Sequence, residues 1–116
     1  MSNDILDLDD FLDRVQNDKE LLLELLDIFV SDFHLKRKEL EAAFIMNDSS
    51  KVEHVAHFLK GSCGNISAAA LRQLFLELEQ MGKDDSLRDK EKYLDSIDQQ
   101  FEKLVHYIGE IRGQLQ

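Results

Sequence analysis

Residues 50–66 read SKVEHVAHFLKGSCGNI. Val52, Val55, Ala56, Leu59, Cys63 and Ile66 recur in steps of three and four, which is the spacing of one face of an α-helix. The apolar pattern runs straight through Gly61 and Gly64, although each glycine weakens a helix interior by about 1 kcal/mol relative to alanine. On a wheel of about 100° per residue, with Val52 at zero, the apolar set lies within roughly 60° either side. Glu53, His54, His57, Lys60, Gly61 and Gly64 fill the opposite arc, from about 80° to 200°. This helix has a packing half and an open half, and both glycines belong to the open half.

The same periodicity extends outward in both directions. Residues 4–16 carry Ile5, Leu8, Leu12 and Val15 at helical spacing. A long helix over 18–46, roughly 43 Å at about 1.5 Å per residue, has a stripe of Leu22, Leu25, Phe29, Phe33, Leu40 and Phe44. Asn17 with Glu20, and Ser50 with Glu53, have the spacing of capping boxes. Ser67 is placed to cap a fourth helix, with Leu71, Leu74, Phe75, Leu78 and Met81 on one face. Gly82 is placed to end that helix in a left-handed conformation. After a polar loop over 83–86, a fifth helix over 87–112 repeats Leu94, Ile97, Phe101, Leu104, Ile108 and Ile111 in alternating steps of three and four. Four substantial amphipathic helices with short loops predict an all-α, antiparallel up-and-down four-helix bundle, with the short first helix covering one open end.

Composition agrees with this reading. The 116 residues contain no proline and five glycines, too few for a turn-rich β architecture. That length predicts a single domain over 1–116 with one core. A formal net charge of −10 argues against nucleic acid, because a phosphate backbone must be met by clustered Lys and Arg. The basic residues are scattered apart from Lys36-Arg37-Lys38, which reads as a solvated face or a docking contact. No apolar run approaches the roughly 20 residues of a membrane span. The start MSNDILDLDD is acidic rather than signal-like. A single cysteine, Cys63, allows no internal disulfide. A cytoplasmic monomer is the expectation.

The open half of the third helix has a chemical use. Imidazole titrates at about pH 6.5, so a large share is neutral and nucleophilic at physiological pH. Lys60, one turn beyond His57, can set an ammonium beside an anion on the ring. Gly61 and Gly64 clear space for a partner to approach the backbone. An isolated exposed histidine is most often inert; the two neighbouring glycines are what raise the odds here. The spacing alone leaves open whether the face transfers an anionic group or only docks a partner.

Ala56-His57-Phe-Leu-Lys60-Gly61-Ser62 closely resembles the A-H-x-L-K-G-S motif of histidine phosphotransfer (HPt) domains. The resemblance extends through Asn65-Ile-Ser-Ala68, Leu71 and Leu78-Glu79, and back to Leu22–Leu26 and Phe29, so it covers essentially the whole chain. It implies a phosphorelay intermediate that takes a phosphoryl group from a receiver-domain aspartate of a hybrid sensor kinase and passes it to a response regulator. His57 would be the phosphoacceptor, and Lys60 would steady the phosphoryl group. Gly61 would admit the receiver, and Glu79 would accept a hydrogen bond from His57 Nδ1. Ser62, near 280° on the wheel, is expected to bond to backbone or a neighbouring helix. No cofactor or metal is implied for this chain, Mg²⁺ belonging to the receiver. With no nucleotide-binding motif, it would be a phosphocarrier without kinase activity.

Two positions depart from the family pattern. Ser67-Ala68 stands where the family usually has Gly-Ala, and Cys63 stands where a small polar residue is common. Neither touches the arc of His57. Other chemistries fit poorly. Glu53-His54-x-x-His57 differs from the zinc motif H-E-x-x-H. A di-iron bundle needs Glu-x-x-His, and the residues three before His34, His54, His57 and His106 are Ser31, Lys51, His54 and Lys103. The rival reading is a bundle that binds a receiver or another partner without chemistry. A third is a piece of a larger kinase.

Overall fold

The computed structural model describes residues 4–115. Met1–Asn3 of the acidic start, and Gln116 at the far end of the expected domain, lie outside the described residues. The chain is all-α: α1 Leu8–Arg14, α2 Lys19–Ile45, α3 Ser49–Asn65, α4 Ala69–Lys83 and α5 Lys90–Leu115. At about 1.5 Å per residue, α2 runs nearly the full 44 Å of a body 21 Å across. Among the described residues, no helix is long and apolar enough to cross a membrane.

The stripes read from the sequence form one core. Leu22, Phe29, Phe33, Leu40 and Phe44 of α2 are buried with Val52, Val55, Ala56, Leu59 and Cys63 of α3, and with Leu71, Phe75 and Leu78 of α4. Ile97, Leu104, Ile108 and Ile111 of α5 join them, while Leu25, Leu74, Leu94 and Phe101 are only partly buried at its edge. Phe33 stacks on Phe101 with ring centroids 3.8 Å apart and meets Phe75 edge-on at 6.3 Å, joining α2, α4 and α5. The most extensive helix contact is α3 on α4; α2 also packs on α3, and α5 on both α2 and α4. Paired residues run in opposite order along α2 and α5. Arg37 meets Asp98 and Arg112 meets Asp27 between α2 and α5, and Lys60 meets Glu79 between α3 and α4. The α1 segment is tied in through Asp7 N–H, which donates to Ser67 O at 2.9 Å, and Ser67 Oγ, which donates to Asp10 at 2.6 Å.

The helix ends differ from the sequence reading in a consistent way. Asp7, Asp18 and Asp48 are the N-caps of α1, α2 and α3, each accepting from the backbone N–H three residues on at 3.0–3.1 Å. The expected capping boxes at Asn17 and Ser50 are displaced, Asn17 instead taking a left-handed φ of 63°. Helix α1 starts at Leu8 rather than 4 because Asp7 caps it there. Ser67 is not a cap: it has φ 61°, and Ala68 occupies the cap position without a side-chain bond. Asn47, Asp85 and Asp89 are also left-handed, and Asp89 delays α5 to Lys90. No glycine has positive φ. Short polar side chains make the turns, since Asn and Asp tolerate αL by bonding locally.

Gly82 does not end α4 in a left-handed turn. It is a buried helical residue, and a Cβ built on it would lie 2.7 Å from the backbone N of Glu53 and the backbone O of Ser49. The end of α4 therefore rests directly on the first turn of α3. Gly82→Ala should lower stability by about 1–3 kcal/mol, the usual cost of overpacking. Urea unfolding measures this; an unchanged midpoint would show that the contact relaxes freely.

Candidate functional site

The α3–α4 pair carries the site. Val52, Val55, Ala56, Leu59 and Cys63 hold one half of α3 in the core, so the opposite half must face outward. His57 stands midway along that half with its side chain 68% exposed. A Cβ built on Gly61 would meet nothing within 4 Å, which leaves the surface one turn from the histidine clear. Gly64 is less open than its wheel position implies, because the Arg72 side chain would lie 3.5 Å from a Cβ there. Ser62 Oγ donates to Phe58 O at 3.1 Å, a bond to the preceding turn, as its flank position indicates.

From α4, Glu79 reaches across to this face. Its side chain is 6% exposed, and it is the one buried charged residue among the described residues. Oε2 lies 2.6 Å from His57 Nδ1, and Oε1 lies 2.5 Å from Lys60 Nζ. Lys83 Nζ stands 3.9 Å from Oε2. A buried carboxylate is tolerable only when paired and hydrogen-bonded, and Lys60 provides this most directly. The Lys60 ammonium, helped by His57, holds the Glu79 carboxyl below the usual carboxylate range against the opposing effect of burial. An ionised carboxylate can only accept hydrogen bonds, so His57 Nδ1 carries a proton, and in the neutral ring the lone pair is then on Nε2.

The sequence-derived residues His57, Lys60 and Glu79 thus converge, with Gly61 beside them. Lys60 is not the free cation of the wheel: its side chain is 20% exposed and bound to Glu79. Lys83 was missed because it falls in the expected polar loop, yet it lies four residues after Glu79, the spacing of neighbours on one helix face. Lys36, named above in the basic run as a solvated face or a docking contact, lies close to this face. It pairs with Glu39 and stands 4.8 Å above the exposed Phe58 ring beside His57. The basic run is therefore not a plain solvated face, since Arg37 binds Asp98 through two bonds of 2.8 Å and also binds Glu41. Cys63 is core as expected, and burial pushes its thiol up to about 12.

Glu79 makes the site pH-sensitive with a definite sign. Its carboxyl is lowered by folding, so its contribution is fully present above the unfolded value and is lost as pH falls through the folded one. The stability gap between wild type and Glu79→Gln in urea should be widest near neutrality and narrow on acidification below about pH 4.5. A gap independent of pH would contradict the ionic pairing. Imidazole ¹⁵N–¹H correlation spectra should find the His57 proton on Nδ1.

Comparison with known proteins now bears on this geometry. A search of curated protein sequences returns no significant match. Among solved structures, the chain is similar to histidine-containing phosphotransfer protein B from Pseudomonas aeruginosa PAO1, at 26% identity and a TM-score of 0.86. The match covers 95% of this chain and 96% of that one. The family model for the Hpt domain matches residues 24–110, most of the chain and all of α3 and α4. A buried core that leaves His57 exposed on α3 against buried Glu79, and a family match spanning that helix, meet in one conclusion: the chain belongs to the Hpt domain family.

Proposed function

We propose that histidine phosphotransfer by this Hpt protein runs through His57 Nε2. One observation carries the assignment: the 2.6 Å contact of His57 Nδ1 with buried Glu79, which commits the ring's proton and leaves the exposed nitrogen nucleophilic. The Nε2 lone pair attacks the phosphorus of an aspartyl phosphate in line with the leaving oxygen. The N–P bond forms as the P–O bond breaks, and its electron pair leaves on the aspartate carboxylate. The phosphorylated ring, still protonated at Nδ1, is cationic, and the Glu79 carboxylate balances that charge at hydrogen-bond distance. Reversal of the same step delivers the group onward.

The donor and acceptor are receiver domains, one of a hybrid sensor kinase and one of a response regulator. The receiver supplies Mg²⁺ and most catalytic groups. Docking is favoured by the open surface at Gly61 and the exposed Phe58 beside it. Lys60 acts on His57 through Glu79, and Ser62 supports the helix through Phe58 O. The chain works as a phosphocarrier without kinase activity, as a cytoplasmic monomer. Its four long helices form an antiparallel up-and-down bundle with α1 over one end. The opposite order of Arg37–Asp98 and Arg112–Asp27 between α2 and α5, and of the Gly64–Arg72 and Gly82–Ser49 approaches between α3 and α4, supports this arrangement.

Incubation with a phosphorylated receiver should label the wild type with acid-labile phosphate. His57→Gln should reduce the label to background while retaining the helical circular dichroism spectrum. Retained label in the variant would remove His57 as acceptor. Absence of label in wild type with every receiver of the source organism would favour binding without chemistry.

A further inference from the structure

Four basic side chains lie on α3 and α4, and three of them are already bound to carboxylates. Lys60 and Lys83 pair with Glu79, and Lys51 pairs with Glu39 of α2. Arg72 is the fourth. It is exposed, and among the described residues it makes no ion pair or hydrogen bond. It is nevertheless placed, because its stem lies across Gly64, with Cδ and Nε 3.6 and 3.5 Å from where a Cβ would stand. Gly64 shares the open half of α3 with His57, about 10 Å further along the helix axis. Between them are the clear surface of Gly61 and, one turn after Arg72 on α4, the exposed Leu76. Residues 49–83 carry four basic and three acidic side chains, a net +1, in a chain whose total is −10. The part of the chain that presents His57 is thus the one an acidic partner can approach with least repulsion.

We propose that Arg72 is a specificity residue for the receiver: its guanidinium engages a carboxylate on the receiver's rim, about two helical turns from His57. The contact selects which receivers can bring an aspartyl phosphate in line with His57 Nε2. A receiver that holds Mg²⁺ does so with carboxylate oxygens, so acidic side chains face this surface from the partner. The planar fork of arginine matches a carboxylate through two bonds, where lysine offers a point charge. Since Arg72 has no partner in the free protein, no internal bond breaks when the receiver docks. The stem resting on Gly64 restricts the positions from which the fork must search, which lowers the ordering cost of binding. A receiver with a basic residue at the matching position meets a like charge instead, and repulsion of that kind separates right from wrong partners. Arg72 stays clear of the reacting atoms and takes no part in the phosphoryl step. This inference rests on the reading of His57 as phosphoacceptor.

The test compares two donors. One is the phosphorylated receiver of the source organism that labels wild type fastest, and it must dock. The other is phosphoramidate, whose own P–N bond breaks with release of ammonia as the His57 N–P bond forms, and it has no surface to dock. Wild type, Arg72→Gln, Arg72→Lys and, as a control on α5, Lys103→Gln are loaded from each. Arg72→Gln should lower the second-order rate of transfer from the receiver by about three- to tenfold at low salt, the scale of one charge-assisted pair at a rim. Added salt should slow wild type more steeply than Arg72→Gln, because the lost attraction is the screened one. Loading of Arg72→Gln from phosphoramidate should match wild type. Arg72→Lys should keep the salt dependence and recover part of the rate, and Lys103→Gln should change neither reaction. Changing the receiver's rim carboxylates to amides one at a time should find one whose loss abolishes the effect of Arg72→Gln. The proposal fails if Arg72→Gln accepts from the receiver as wild type does, if it slows phosphoramidate loading equally, or if no rim carboxylate is coupled to it. Wild type labelled by phosphoramidate but by no receiver overturns this inference and leaves His57 as acceptor. Wild type labelled by neither donor overturns both.

Discussion

A single carboxylate, that of Glu79, organises the functional face. It is buried, so it demands compensation, and it obtains that from two side chains on the neighbouring helix. The demand works in both directions. The carboxylate is kept ionised by Lys60, and in that state it dictates which nitrogen of His57 bears the proton. Charge, tautomer and helix spacing are coupled, because the reach from α4 to α3 must be short enough for bonds of 2.5–2.6 Å.

Where α3 and α4 make the broadest contact in the molecule, α5 is attached more sparingly. The aromatic stack of Phe33 on Phe101 joins α2 to α5, and ion pairs of Arg37 with Asp98 and Arg112 with Asp27 fasten the same two helices. His57 thus sits on the helix pair with the most extensive contact. Rigid elements hold functional groups more accurately than loops do, and here His57, Glu79 and both lysines all belong to helices.

Much of this was legible in the chain itself. Apolar steps of three and four located all five helices, because burial of one face leaves a periodic record. The same wheel separated His57, Lys60 and Gly61 from the core half of α3. What it could not resolve were the helix ends. Asn17-Asp18 and Asn47-Asp48 each offer adjacent residues that both cap and turn well, and only the folded backbone decides which does which. Ser67 went astray for a related reason. Serine favours caps, but this position needs a left-handed residue, and the bond from its hydroxyl to Asp10 offsets part of that strain. Pairings across helices were harder still: no periodicity reports that Lys60 is spent on Glu79 or that Lys83 stands next to it.

Gly82 gives the arrangement a further property. Because the end of α4 bears on main-chain atoms of Ser49 and Glu53, the separation of the two helices at that end is gauged by backbone, which every sequence shares. Side chains elsewhere in the core can exchange volume for volume without resetting that gauge. The geometry that presents His57 is to that extent insulated from the drift of the residues that surround it.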